Sequence, residues 1–166
     1  MNRRQFFKKL PHMAKDLIAE EKPVIRPPYF SEEHIQKCKK CEGFCVTACE
    51  ERIIFRLEDG SPYLEFRESG CTFCRKCSDA CLEDVISYES LPQDKIKTTI
   101  RIQTQTCLAW NKTICNSCRD VCIENAVKFL GLFNPQIDHD RCTSCGFCVA
   151  KCPVSAVQTV QKEEIY

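Results

Sequence analysis

Much of what would assign this chain to a common functional class is missing from it. No apolar run approaches the roughly 18 residues of a membrane-spanning helix, so a soluble protein is expected. Neither charge dominates: 24 basic residues stand against 23 acidic ones, for a net charge of +1. No global field or long basic run is therefore available to recruit nucleic acid. No Gly-rich nucleotide loop, catalytic triad or paired-carboxylate arrangement is apparent, and no catalytic activity of its own is expected. Asp79, Glu83 and Asp84 read as solvated helix charge. With one tryptophan and ten phenylalanines in 166 residues, the conventional core is thin. Bound metal must supply part of the folding energy, and the chain without it is expected to be largely unfolded or aggregated.

What is abundant is cysteine, with sixteen residues in four groups of four. Cys38, Cys41, Cys45 and Cys49 form the first group, and Cys71, Cys74, Cys77 and Cys81 the second. Cys107, Cys115, Cys118 and Cys122 form the third, and Cys142, Cys145, Cys148 and Cys152 the fourth. The second and fourth read Cys-x2-Cys-x2-Cys-x3-Cys, the ligand run of bacterial [4Fe–4S] ferredoxins, and the fourth ends in Pro153. Thiolate is the soft anionic ligand such clusters need, and a cubane takes one sulfur for each of its four irons. Three closely spaced cysteines wrap one loop around three corners. The fourth, expected at the start of a helix, reaches a second cluster. Three or four [4Fe–4S] clusters are expected per chain.

Zinc and disulfides are the competing readings. Zinc sites pair two Cys-x2-Cys knuckles separated by about a dozen residues or more, and a triple run carries one thiol too many. His12, His34 and His139 stand outside the groups at no ligand spacing. The seven residues between Cys107 and Cys115 leave zinc more room in group three. A disulfide scaffold expects a cleavable apolar leader, which this sequence does not display. Cysteines two residues apart are also poorly placed for several bridges in one loop.

Aligned on their cysteines, the groups read as four unequal repeats of one unit. Each group is followed by a helical start and an apolar pair, as in Glu50–Phe55, Leu82–Ile86, Ile123–Val127 and Pro153–Val157. Segments 53–57 and 63–66 flank Asp59-Gly60, a strong hairpin signal. Segments 127–132 and 136–138 flank Asn134-Pro135, a plausible second turn. After the break at Leu91-Pro92, Ile96, Ile100 and Ile102 alternate with polar residues as in a half-buried strand. The resulting expectation is an α+β fold of two tandem two-cluster ferredoxin-like modules, at residues 31–92 and 93–166. A basic segment and Pro-rich tether at residues 1–30 precede them.

Sequential pairing joins Cys38, Cys41 and Cys45 with Cys81, and Cys71, Cys74 and Cys77 with Cys49. It also joins Cys107, Cys115 and Cys118 with Cys152, and Cys142, Cys145 and Cys148 with Cys122. Nested pairing of group one with four and two with three stays open at this stage. All sixteen are ligands under either. Groups one and three depart from the regular run, with three residues between Cys41 and Cys45 and seven between Cys107 and Cys115.

The segment Asn2-Arg3-Arg4-Gln5-Phe6-Phe7-Lys8 is similar to a twin-arginine export motif. Charged and polar residues fill 9–22, so no apolar h-region or cleavage site follows. A short basic amphipathic helix that docks on a partner or on the protein itself is expected. The following Arg26-Pro27-Pro28-Tyr29 should be extended and rigid, as a tether or docking strip.

Taken in order, the twin-arginine-like start, Ile25-Arg26-Pro27-Pro28-Tyr29, the four groups, Cys107-Leu108-Ala109-Trp110 and Cys152-Pro153-Val154-Ser155-Ala156 resemble the NapF-type ferredoxins. The resemblance covers nearly the whole chain. It implies a cytoplasmic accessory protein that binds the catalytic subunit of periplasmic nitrate reductase and assists its maturation before export. A polyferredoxin that relays electrons between redox partners is the alternative.

Overall fold

The structure is a computed structural model and describes residues 24–160. The amphipathic helix expected near residues 2–10 lies outside the described residues. The elements are short. A 3-10 helix, Glu32–Lys39, is followed by α1 (Phe44–Thr47), β1 (Ile54–Arg56), β2 (Pro62–Leu64) and α2 (Lys76–Asp79). Then come β3 (Thr99–Ile102), α3 (Ser117–Asp120), β4 (Val127–Leu130), β5 (Phe133–Ile137), α4 (Phe147–Ala150) and β6 (Val157–Val160). Among the described residues no helix is long and apolar enough to cross a membrane.

Each of α1 to α4 is a single turn of four residues, far below the length at which a helix is stable alone. Each carries the third cysteine of its group: Cys45, Cys77, Cys118 or Cys148. The expected helical start after each group is therefore misplaced. The helical turn lies inside the group, and the fourth cysteine leaves it rather than opening a new one. Three residues past the fourth cysteine the backbone turns left-handed, at Arg52 (φ 53°), Asp84 (φ 55°), Asn125 (φ 49°) and Ser155 (φ 51°). The amide of each donates back to that cysteine's carbonyl, at 3.1, 3.3, 3.1 and 3.2 Å. A left-handed residue cannot propagate a right-handed helix, so the chain reverses here into extended structure.

Among the described residues, three two-stranded antiparallel sheets result. β1 and β2 pair as the expected hairpin, with Ile54 opposite Leu64 and Arg56 opposite Pro62. In the second hairpin Val127 lies opposite Ile137, but the turn falls at Gly131-Leu132 rather than at Asn134-Pro135. Pro135 sits within β5 opposite Phe129, next to an irregularity in register. Both strands of a two-stranded sheet are edges, where a missing N–H is tolerated. β3 pairs with β6 across most of a half-chain, Ile100 opposite Thr159 and Ile102 opposite Val157. The first half repeats this closure in reduced form, as the single bridge between Phe30 and Ile86.

The largest apolar cluster gathers Ile25, Tyr29, Phe30, Ile53, Ile54, Leu64, Phe66, Val85, Ile86 and Ile96 around Cys38 and Cys77. The strip from Ile25 to Phe30 is docked into the chain's own core, its Ile25 carbonyl accepting from Leu64 N–H at 2.7 Å. A second cluster forms around Ile100, Val127, Val157, Cys118 and Cys148, and a third around Cys107, Ala109 and Ala156. The halves meet at Gly70. A side chain there would overlap the Cys145 carbonyl and the backbone of Phe147, and its absence lets Cys71 N–H donate to Cys145 O at 2.6 Å.

Candidate metal centres

The fold gathers the sixteen thiols into four sets. Burial, then the Cys81 and Cys41 thiols, push Cys38 up, while Arg56 draws it partly back. Cys45 is pushed up to about 11 by burial and then by Cys81, Cys41 and Cys38. Burial lifts Cys71 and Cys77 to about 12, with Cys49 and Cys74 adding to both. Cys118 stands at about 11 through burial, then Cys107, with Cys115 and Cys152 contributing. Burial, then Cys145, Cys142 and Cys122, raise Cys148 to about 12. In every set the fourth member comes from the other group of the same half. The thiols that act most strongly on one another follow the sequential arrangement, with Cys81 foremost at Cys38 and Cys45, while Cys145 reaches Cys71 and Cys118 reaches Cys148 more weakly.

Three of the sets line recesses. Cys49, Cys71, Cys74 and Cys77 surround empty space of ≈ 410 Å³, counting its open mouth. Cys122, Cys142, Cys145 and Cys148 surround ≈ 370 Å³. Cys107, Cys115, Cys118 and Cys152 surround ≈ 290 Å³, and there Pro135, Pro153 and Val154 complete an apolar wall. Backbone amides also point at sulfur. Ile86 N–H faces Cys81 Sγ at 3.3 Å, Ala126 N–H faces Cys122 Sγ at 3.3 Å, and Ala156 N–H faces Cys152 Sγ at 3.1 Å. These donors follow from the left-handed turns, which aim the next amides back at the cysteine. Such bonds stabilise thiolate charge and tune a bound cluster.

The irregular groups are brought into the same pattern by specific side chains. In group one the additional residue falls beside Gly43, whose φ of 83° suits glycine. Arg56 lies against it, its Cδ 2.9 Å from where a Cβ would stand. That guanidinium donates to Gly60 O at 2.8 Å, Cys38 O at 2.8 Å and Cys41 O at 2.9 Å. In group three the long gap folds back on itself. Asn111 Nδ2 donates to Cys107 O at 2.8 Å and Gln105 O at 3.1 Å, and Trp110 Nε1 donates to Pro135 O at 3.1 Å. Ala109 is buried, so the inserted loop is fastened to the core rather than looped out.

A further knot borders the Cys49, Cys71, Cys74 and Cys77 recess. Tyr29 Oη donates to Asp94 Oδ1 at 2.5 Å, and Arg75 lies 4.0 Å from the same carboxylate. Arg75 also stacks 3.5 Å from the centre of the Tyr88 ring, which meets Tyr29 edge-on. Burial first, then the bond to Asp94, hold the Tyr29 phenol well above its ordinary range. Neither this knot nor the Arg56 clamp carries a sequence motif. Only the hairpin register and the docked Pro-rich strip reveal them. Asp79, Glu83 and Asp84 are exposed, in line with solvated charge.

The donor set fits iron–sulfur chemistry: thiols dominate the polar lining of each recess, with Glu50 and Glu51 at the rim of one and Glu124 at the rim of another. A lone zinc would need its sulfurs within about 2.3 Å of one point. Among the described residues, no three His, Cys, Asp or Glu side chains are grouped to hold a single metal ion. The thiols face a recess instead.

Comparison with known proteins agrees in kind. The 4Fe-4S binding domain family matches residues 135–158. The ferredoxin-type protein NapF of Escherichia coli K12 is 34% identical over 139 residues, covering 80% of this chain and 82% of that protein. NapF of Haemophilus influenzae is 35% identical over 140 residues, with 80% and 77% covered. The ferredoxin-type protein NapG of the same organism is 26% identical over 163 residues, covering 81% of this chain and 57% of NapG.

Proposed function

This chain belongs to the NapF family of ferredoxin-type proteins, and from that premise we propose that it is an iron–sulfur accessory protein of a periplasmic nitrate reductase system. All sixteen cysteines serve as ligands in this reading, in four [4Fe–4S] sites of the sequential arrangement. The observation that carries it is the convergence of a complete four-thiol set at each site, the stretched third group included. A bound cluster supplies a one-electron centre. The chain's own part is to give up thiol protons, hold the sulfurs apart around a recess, and direct amides at them. The plan of two tandem modules is supported by the repeated closure of each half, and the first takes in Ile25–Phe30 from the leading segment 1–30 beside residues 31–92, with the second at 93–166.

The role proposed within that system is binding the catalytic subunit in the cytoplasm, before export, and assisting its maturation. No enzymatic activity belongs to the reading. Co-purification of the tagged chain with unexported catalytic-subunit precursor is the test. Stable association is expected, and loss of it on deleting residues 2–10 would identify the docking segment. No association with the precursor would overturn the accessory role.

One observation favours the second reading, an electron carrier between redox partners. The Cys71–Cys145 hydrogen bond places a cysteine of the first half against one of the second, giving continuity between sites that separate modules would lack. Rapid reversible turnover with a redox donor, without precursor binding, would decide for it.

A further inference from the structure

Arg56 is a partly buried cation tied to the backbone of one cysteine group. Among the described residues it forms no ion pair, although six such pairs engage other arginines and lysines. All the hydrogen bonds it donates go to neutral carbonyls, and two of these belong to Cys38 and Cys41. The side chain is partly buried, so water screens it incompletely. Through these bonds it stands against the backbone of two cysteines of one set and the turn of the β1–β2 hairpin. By contrast, Arg75 beside the next recess faces the Asp94 carboxylate. Asp59 carries the opposite charge next to Gly60, which lies against Cys38 O and the guanidinium, and its carboxylate accepts from Ser61 N–H at 2.9 Å and Ser61 Oγ at 2.6 Å.

We propose that Arg56 is a positioning residue for the Cys38, Cys41, Cys45 and Cys81 site, and that its unpaired charge raises the reduction potential of the group held there. The inference rests on the reading that these four thiolates hold a [4Fe–4S] cluster. Reduction adds one electron, drawn from an external reductant that is oxidised by one, and no proton is required. The site gains one negative charge in the process. A cation held on the carbonyls of two of the site's cysteines stabilises the reduced form more than the oxidised one, and net charge and hydrogen bonding are established levers on such potentials. The same guanidinium ties the widened loop to the β1–β2 hairpin, so the insertion in group one and the cation are one device.

The test uses the full chain, reconstituted anaerobically, with iron and sulfide analysis and a dithionite redox titration followed by electron paramagnetic resonance. Iron content of the unsubstituted chain comes first. A chain short of one site's iron overturns the cluster reading itself, before any variant is compared. With full iron, Arg56→Gln is expected to move one transition to lower potential and leave the others in place. Asp59→Asn, which keeps the turn and removes the opposing charge, is expected to move that same transition upward. Full iron with every transition unmoved in both variants would overturn the proposal. Where Arg56→Gln fails to load its site, Asp59→Asn decides alone: an upward shift of one transition supports the field account, and none refutes it.

Discussion

Single side chains fasten the widened loops of the irregular cysteine groups to the rest of the fold. Trp110 is half-buried and holds the inserted loop of group three to β5. Trp110→Phe keeps an aromatic ring packed against Cys107, Ala109 and Ala156 and removes one hydrogen bond, at a cost of about 1 kcal/mol. Trp110→Ala also removes the apolar contact and is expected to cost about 3 kcal/mol. Denaturant unfolding of the loaded protein measures both, and iron released to a chelator should come first from the third group. The thiols supply a second prediction. Burial holds Cys71, Cys77 and Cys148 near 12 and Cys45 and Cys118 near 11, so at neutral pH they are protonated before metal enters. Each must lose its proton on coordination, and raising the pH toward 9 therefore favours loading. Reconstitution in weakly buffered solution is expected to acidify it, and iron incorporated at limiting supply should be lower at pH 7 than at pH 8.5. Equal incorporation at the two would refute this. The four cysteine groups were readable from spacing, because each is a short local run. Arg56 and Asn111 were not, since a lone arginine in a strand and a lone asparagine in a loop acquire meaning only when folding sets a carbonyl opposite them.

At the level of elements, the helices are too short to stand by themselves and the sheets have two strands each, so pairing and burial at a few apolar positions must hold them. Ile100 is 1% exposed and sits in β3 opposite β6, against Cys118, Cys148 and Val157. Ile100→Ala is expected to destabilise the second half by about 3 kcal/mol, within the range for buried isoleucine truncations. Loss of iron from groups three and four ahead of one and two, during titration with urea, would verify it. The alternation at Ile96, Ile100 and Ile102 announced this strand, but nothing local announced its partner. β6 follows the fourth group directly, and its pairing with β3 is a long-range event. The Asn134-Pro135 turn was misjudged for a related reason: the dipeptide suits a turn, yet an unpaired strand edge accepts it equally well. The helical turns were misplaced because the left-handed residue after each fourth cysteine is Arg, Asp, Asn or Ser, with no glycine to mark it.

Across the whole molecule, the two halves meet through backbone at Gly70 and through side chains, with Phe66 against Gly146 and with Ile96 and Val149 packed into the first apolar cluster. Gly70→Ala would drive a methyl group into the Cys145 carbonyl and the Phe147 amide. The Cys71–Cys145 hydrogen bond is then expected to break while each half keeps its own four-thiol sets. Full iron content, with altered magnetic interaction between reduced centres, is the signature to look for by electron paramagnetic resonance. Unchanged spectra at full iron would show that the contact carries no coupling. The repeat of four units was legible in the sequence, whereas this junction was not, because it depends on how the repeats lie against each other. The strand pairings have a consequence in time as well as in space. The first half is closed by the bridge between Phe30 and Ile86, while β3 has no partner until residue 160 has been added. During synthesis, then, the two sites of the first half can be complete while groups three and four still hang open. Newly made chains are expected to acquire metal in order from one half to the other, with the later thiols exposed longest to oxygen.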